Sequence, residues 1–371
     1  MRRKAIVVGA GVFGASIADH LASQRWKVEL VEQYEPGDVR ASSGGETRLL
    51  RYSHGAEDFY TLSAYRAREL WQGLERDAKE PLLVRSGVIW FAHNETGWEA
   101  DSAASLARLG IPARRIEPSD VEGLFPSVET RDLAFALHEP QGGLLLARKA
   151  VRALVRRAQR RGATLTLAPA RPDGDAVIIG EQRRSADVVI WACGPWLPKL
   201  FPGFIEAAVT KQDVLYMGAP AGWVTPGVPA WIDYDASVYG AGDVEGSGFK
   251  IASDLEGVVL DPDATDRLPD QRNIDRSRTY LKRRFPALSD APLVMARTCQ
   301  YTSTPDSQWI IARHPEHESV WLVGAGSGHG FKHGPSLGEY VGRLVDGKTR
   351  PDPRFGLARR ASAASLRTAR R

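Results

Sequence analysis

Ala5-Ile6-Val7-Val8 is a short apolar run, and Gly9-Ala10-Gly11-Val12-Phe13-Gly14 follows it without a break. Ile17, Ala18 and Leu21 then recur at helical spacing, and a second apolar run, Val28–Val31, ends at Glu32. This order predicts strand, glycine turn, helix, strand and acid within one βαβ unit. Gly9 allows the tight turn, Gly11 lets the backbone approach a pyrophosphate, and Gly14 lets the helix pack close to the strand. The helix N-terminus then faces the phosphates with its positive end. Glu32 is placed to accept hydrogen bonds from a ribose. The pattern points to a dinucleotide; the alternative is a glycine turn that only packs a helix on a sheet. The motif alone does not choose NAD from FAD, and its place at the start of the chain leans to FAD.

Outward from this unit, 371 residues amount to about two domains. With 43% hydrophobic and 25% charged residues the chain is globular rather than disordered. Two cysteines, Cys193 and Cys299, exclude a disulfide scaffold and a four-cysteine zinc site. No stretch approaches the roughly 18–20 apolar residues of a membrane span. The formal charge is +4, but six arginines and no acids lie between Arg354 and Arg371, which leaves the rest at −2. The body therefore lacks the basic surplus of a nucleic-acid binder. Met1-Arg2-Arg3-Lys4 precedes too short an apolar run for a signal peptide. Arg370-Arg371 is no peroxisomal address. A cytoplasmic location is expected by default.

Further along, Arg148–Arg161 reads as a helix with Val151, Leu154, Val155 and Ala158 on its apolar face. Its arginines read as a solvated face, and Gly162 stops it. Val188–Ala192 is a strand running into Cys193-Gly194-Pro195-Trp196. Ser319–Val323 is another, followed by a glycine-rich turn through Gly330 and a helix over Pro335–Leu344. Strands that run into glycine turns and helices predict one parallel sheet built from distant segments. The stretches Ser86–Ala92, Ala208–Met217, Ser237–Ser253 and Leu293–Thr302 are β-rich and predict an inserted mixed sheet beside the cofactor domain. The fold class is therefore α/β, a discontinuous Rossmann-like FAD-binding domain with an inserted α+β substrate domain holding a large mixed or antiparallel sheet. The boundaries are 1–84, 145–207 and 306–356 for the first, and 85–144 and 208–305 for the second. Leu357–Arg371 reads as a frayed basic tail.

Four segments carry a resemblance over about residues 5–355. They are Gly9–Gly14; Gly45-Glu46-Thr47-Arg48-Leu49-Leu50-Arg51; Gly248-Phe249-Lys250; and Cys299-Gln300-Tyr301 with Gly328-His329-Gly330-Phe331-Lys332. In order and spacing the chain resembles the monomeric sarcosine oxidase and N-methyltryptophan oxidase family, flavoenzymes with the D-amino-acid-oxidase type of fold. The resemblance implies FAD, bound around Gly9, Gly11, Val12, Phe13, Gly14, Glu32, Gln33 and Ser43. It further implies contacts from Arg48, Leu49, Cys193, Gly194 and Trp196, and from the turn Gly328, His329, Gly330, Phe331 and Lys332. Cys299 matches the cysteine that forms a thioether to the flavin 8α-methyl group, which requires a thiolate. A free cysteine is otherwise a small buried hydrophobe, the reading given to Cys193.

Lys250 matches the lysine that accelerates reaction of the flavin with oxygen, since a fixed positive charge in a dry site stabilises superoxide. Phe249 and Ile251 alternate with it as in a strand, without deciding which face is wet. Arg51 and Lys332 match two cations that hold a substrate carboxylate. Arg48 matches an arginine beside the flavin ring. Tyr239, Tyr301 and Tyr60 fall at aromatic positions that line the pocket or belong to the core. The backbone N–H groups of the Gly328–Lys332 turn, and His329, are candidates to face the flavin edge where negative charge develops.

Two pocket histidines of the sarcosine-type enzymes are replaced, by Gly44 and Asp254. Gly44 is expected to open room near the amine. Asp254 is expected to bind a cationic group on the substrate or to pair with Lys250. His314/His317 and His329/His333 lack convincing further ligands, so no metal is expected. No GxSxG turn or phosphate loop is present. The chain thus reads as a monomeric FAD-dependent oxidase of a secondary (N-methyl, N-alkyl or cyclic) amino acid. A hydride passes from the carbon next to nitrogen to flavin N5, giving an imine, and O2 becomes H2O2. The partners are the amino acid and O2, with no nucleic acid and no membrane. The alternatives are a dehydrogenase of the same fold that passes electrons to a carrier, and a non-catalytic flavoprotein anchored to RNA by its arginine tail.

Overall fold

A computed structural model describes residues 2–358, apart from 256 and 265. The arginines of the tail from residue 359 onward lie outside the described residues, while Leu357 packs against the core.

Lys4–Val8 forms a central strand, parallel to Lys27–Glu32 on one side and to Val188–Trp191 on the other. Ala5, Ile6, Val7 and Val8 are all buried, as a parallel strand covered on both faces requires. Thr164–Leu167 and Val320–Gly324 extend the sheet in parallel, and Ile310–Arg313 closes one edge antiparallel. Six strands from distant segments thus make one nucleotide sheet. The helices Val12–Ser23, Ala147–Arg160 and Gly334–Val345 pack beside it. Gly338 allows the last of these close approach: a Cβ there would lie 2.5 Å from the Ser16 carbonyl oxygen.

Arg152, Arg156 and Arg160 keep the expected solvated face of Ala147–Arg160, but Arg157 departs from it. Asp19, buried on the first helix, meets Arg157 at 2.7 Å and Arg161 at 2.7 Å, and Arg157 also reaches Asp77 at 3.0 Å. These arginines clamp three helices together, because a buried carboxylate is tolerated only when paired. Periodicity marked the polar face but not the acid that faces it.

The second sheet has eight strands, in the spatial order 293–303, 208–217, 249–253, 238–241, 230–233, 88–92, 135–139 and 114–116. All its pairings are antiparallel except Ala230–Asp233 with Val88–Ala92. Successive side chains alternate between its faces. Ile89, Phe91, Trp231, Phe249 and Ile251 pack with Tyr280, Leu281 and Phe285 on and after the helix Gln271–Arg284. Trp90, Ile232 and Tyr239, each one residue out of step with that set, turn to the opposite face and line a cavity between the sheets. A small three-stranded sheet of Thr47–Leu50, Gly143–Leu146 and Leu83–Val84 borders it. The architecture is α/β, with the cavity held between a parallel sheet and a mixed one.

Candidate active site

The cavity holds about 1810 Å³ between protein atoms, its open mouth included. At one end it is walled by Gly9, Gly11, Val12, Phe13, Glu32 and Gln33. Gly9 has φ +101°, and a Cβ there would strike the Ala192 carbonyl at 2.5 Å. A Cβ at Gly14 would lie 1.8 Å from the Gly9 carbonyl oxygen, so Gly14 sits inside the helix–strand packing rather than on the cavity wall. Gly11 differs. The nearest atom to its missing Cβ is the Ser43 oxygen at 3.3 Å, so the protein's own packing leaves space there toward the cavity. Ser43 accepts from the Val12 N–H (2.9 Å) in the first helical turn. Glu32 accepts from Ala10 N–H (2.7 Å) and Tyr34 N–H (3.2 Å); burial pushes its carboxyl up and these bonds oppose the shift. A phosphate cradle at Gly11 and a held acid beside it fit a dinucleotide. Cys193, Gly194 and Trp196 line the same end, and burial pushes the Cys193 thiol up to about 12, which makes it inert.

Toward the middle, Arg48 and Leu49 from the strand Thr47–Leu50 reach the cavity, as do Gly328, His329, Gly330 and Phe331. The Arg48 guanidinium donates to the carbonyls of Thr47 (2.8 Å), Ser42 (2.8 Å) and Gly44 (2.6 Å), and lies 5.7 Å from the Phe331 ring centroid. Cys299 is behind this arginine, its sulfur 3.5 Å from the guanidinium, and off the cavity wall. Lys250 is also behind the wall, on the cavity-facing side of its strand. Its ammonium donates to the Thr47 carbonyl (3.1 Å) and hydroxyl (3.3 Å) and lies 5.3 Å from the Tyr239 ring centroid. Burial, with the Arg48 charge adding to it, pulls the Lys250 ammonium down to about 7. The lysine is therefore bonded to Thr47, rather than to the acid at 254 that the sequence offered as a partner.

The far end carries Arg51, Lys332, Asp254, Tyr239 and Tyr301. Arg51 is buried, donates to the Ser53 carbonyl, and lies 5.0 Å from the Trp90 ring centroid. Burial pulls it down to about 10, although Glu139 and Asp254 oppose the shift. Glu139 is held in turn by Tyr52 N–H, Ser53 and Trp90 Nε1. Lys332 donates to the His329 carbonyl (2.8 Å), and burial with the Arg51 charge pushes it well below its ordinary value. Asp254 accepts from Tyr301 Oη (3.2 Å), which in turn meets Tyr239 Oη at 3.3 Å. Burial pushes the Tyr239 phenol up to about 12.

Two expectations need correction, and one open alternative is decided. Gly44 does not open room near the substrate: it is off the cavity wall, and a Cβ there would meet the Asp38 carbonyl at 2.5 Å, so the glycine serves its own turn. Tyr60 belongs to the core, bonded to Gln308 and packed edge-on to Trp309 at 4.7 Å. Of the backbone N–H groups in the Gly328–Lys332 turn, that of His329 does not face a ligand, since it bonds the Gly326 carbonyl (2.9 Å).

Sequence reasoning missed Glu139 and His54, and it named Thr47 and His333 without giving either a role at the site. His54 and His333 cluster with His329 at ring separations of 5.2–6.1 Å, beneath Arg51 and Lys332. His54 Nδ1 meets the Tyr52 carbonyl and His333 Nδ1 the Ser63 hydroxyl. Burial first and the Lys332 charge second hold both imidazoles well below their ordinary range, and therefore neutral. The same positive charges oppose a metal dication among them. Thr47 precedes Arg48, His54 lies three residues after Arg51 and His333 follows Lys332, so each had a signal in the sequence; Glu139 is 87 residues from Tyr52 and had none.

Comparison with known proteins bears on the family and the fold. The profile of the family described as FAD dependent oxidoreductase (DAO) matches residues 4–344. Monomeric sarcosine oxidase of Streptomyces avermitilis is 30% identical over 357 residues, covering 92% of each chain. N-methyl-L-tryptophan oxidase of Citrobacter koseri is 26% identical over 375 residues, covering 96% of this chain and 97% of that one. In fold, the crystal structure of L-proline dehydrogenase from P. horikoshii superposes with a TM-score of 0.84 at 19% identity, covering 96% and 97% of the two chains. No helix among the described residues is long and apolar enough to cross a membrane. The resemblance read from the four sequence segments holds across nearly the whole length, and the chain belongs to the FAD-dependent oxidoreductase family of the D-amino-acid-oxidase type.

Proposed function

We propose that this flavoenzyme oxidises a secondary amino acid, N-methyl, N-alkyl or cyclic, to its imine, with O2 as the final acceptor. The amine loses a C–H and an N–H as two electrons and two protons; dioxygen takes up both to give H2O2, and water hydrolyses an open-chain imine. When bound, FAD supplies the two-electron exchange between these half-reactions.

The observation that carries this reading is the pairing of Arg51 and Lys332 at one end of the cavity. Both are buried, and both are destabilised as cations by that burial. An anion landing between them restores what desolvation takes away. A carboxylate matches the planar fork of an arginine and adds a bond from lysine. Lys250 supplies the positive charge for dioxygen reduction, Arg48 offsets negative charge on the reduced site, and Tyr239 shields the lysine from water. Cys299 beside Arg48 is the point of covalent attachment for FAD.

The cofactor domain comprises 1–84, 145–207 and 306–356, and the substrate domain 85–144 and 208–305. This division is supported by the nucleotide sheet drawing its six strands from the first set and the eight-stranded sheet from the second. The protein acts as a monomer in the cytoplasm, a reading that two free cysteines fit.

The test is peroxide formation and oxygen uptake with N-methyl and cyclic amino acids. Both are expected. Bleaching of the flavin by these substrates under nitrogen, with no oxygen uptake in air, would replace the oxidase reading by a dehydrogenase.

A further inference from the structure

Two basic residues share the substrate end of the cavity, and both are out of water. Lys332 keeps 2% exposure and Arg51 6%, and both line the wall. The lysine is fixed through its own backbone: Trp71 Nε1 donates to its carbonyl (2.8 Å), and Trp71 stacks on the neighbouring Phe331. Its Nζ donates to the His329 carbonyl (2.8 Å), a bond that an amine and an ammonium form alike.

The charged and titratable groups around this Nζ come from several elements. Arg51 follows the strand Thr47–Leu50. His54 and His333 lie beneath, buried and neutral, with the His329 ring beside them. Glu139 ends the strand Phe135–Glu139, and Asp254 follows Phe249–Ser253. Both acids favour the ammonium, from positions set by their bonds to Tyr52, Ser53 and Trp90 and to Tyr301. Burial and the Arg51 charge act more strongly in the other direction and hold Lys332 well below its ordinary value. A buried ammonium beside a guanidinium is relieved when an anion docks between them.

A secondary amino acid reaches this end as a zwitterion, its nitrogen an ammonium. Hydride leaves the neighbouring carbon only when the nitrogen lone pair is free to form the C=N bond. The nitrogen must therefore lose a proton in the site, and the docked carboxylate is what allows Lys332 to hold one. We propose that Lys332 is the proton acceptor of the reaction: above neutral pH it stands in the empty site as the neutral amine, takes the proton of the substrate ammonium once the carboxylate is seated, and as the ammonium so formed completes the carboxylate anchor with Arg51. One N–H bond of the substrate breaks, one Nζ–H bond forms, and no electrons are transferred. The proton passes to solvent when the product carboxylate leaves. This rests on the reading of Arg51 and Lys332 as the carboxylate anchor of a secondary amino-acid oxidase. A simple amine brings no anion, so Lys332 takes no proton from it.

The test is proton uptake when the flavin-loaded enzyme binds cyclopentanecarboxylate, the nitrogen-free counterpart of a cyclic amino acid. Calorimetry at about pH 8, in buffers of different ionisation enthalpy, counts the protons. Wild type is expected to take up about one proton per carboxylate bound. Lys332→Arg, charged beforehand, is expected to bind the carboxylate with no uptake. Lys332→Met, which needs no more room than lysine, is expected to bind it more weakly and also without uptake. In anaerobic flavin reduction by N-methyl amino acids, Lys332→Arg is expected to depend on the amine's own ionisation, with kred/Kd rising about tenfold per pH unit above neutrality while wild type stays nearly flat. Binding to wild type without proton uptake would overturn the proposal, because Lys332 would then be charged before the ligand arrives. Uptake that persists in both variants would also overturn it, by placing the proton on another group. If cyclopentanecarboxylate neither binds nor competes with amino acids, the carboxylate-anchor reading itself fails, a result distinct from binding without uptake.

Discussion

The Arg48 guanidinium stands 3.5 Å from the sulfur of Cys299, although 251 residues separate them. It is locked there by three backbone carbonyls, those of Ser42, Gly44 and Thr47. A positive charge at that distance is the partner a thiolate nucleophile needs. Wild-type protein precipitated with trichloroacetic acid is expected to give a yellow pellet, and Cys299→Ala a colourless pellet with yellow supernatant. Arg48→Met is expected to lower the covalently bound fraction. A yellow wild-type supernatant would remove the thioether.

Lys250 is held near pH 7 by burial and by Arg48, so its charge changes within the working range. Below about 7 the ammonium is present; above it the charge is lost. The second-order rate of flavin reoxidation by oxygen is therefore expected to fall as pH rises through this region. Lys250→Met is expected to reoxidise more slowly, with a flat profile. A variant that reoxidises at the wild-type rate would remove Lys250 from the oxygen reaction.

Truncating either carboxylate anchor costs a charge-assisted hydrogen bond, about 1.5–3 kcal/mol. For Arg51→Ala and Lys332→Ala this corresponds to roughly a 10- to 150-fold loss in kcat/KM for amino acids. Simple secondary amines without a carboxylate are expected to lose much less. Equal losses on both substrate types would show that the two cations serve the fold rather than the substrate.

His54 and His333 are neutral in the folded protein because burial and Lys332 depress their protonation. In the unfolded chain they take up protons near pH 6.5. The unfolded state thus binds more protons below that value, and stability falls as pH falls through it. His93, raised by its bond to Asp233, opposes this with a contribution of the other sign. Tm is expected to drop from about pH 7 to pH 5, and a His54→Gln, His333→Gln variant to flatten that drop. An unchanged slope in the variant would show that other groups carry the acid sensitivity.

Legibility in the sequence followed the range of the interactions. Gly9, Gly11, Gly14 and Glu32 act within one βαβ unit, so their spacing alone described strand, turn, helix and acid, and the structure shows each. Amphipathic periodicity likewise placed the helix at Ala147–Arg160 and the alternation around Lys250. Local order cannot report which distant segment faces a side chain. Asp19 drew Arg157 out of an otherwise solvated arginine face into a helix clamp, Thr47 took Lys250 away from Asp254, and the Asp38 carbonyl explains Gly44 without any substrate. The sequence by itself determined the nucleotide unit, because backbone conformation and helix–strand contact there depend on neighbours within a few turns of chain. Only the tertiary structure decided the charge balance of the cavity. Arg51, Lys250, Asp254 and Lys332 arrive on separate segments, and their burial and mutual distances, which set their charges, exist only once the two sheets have closed on each other.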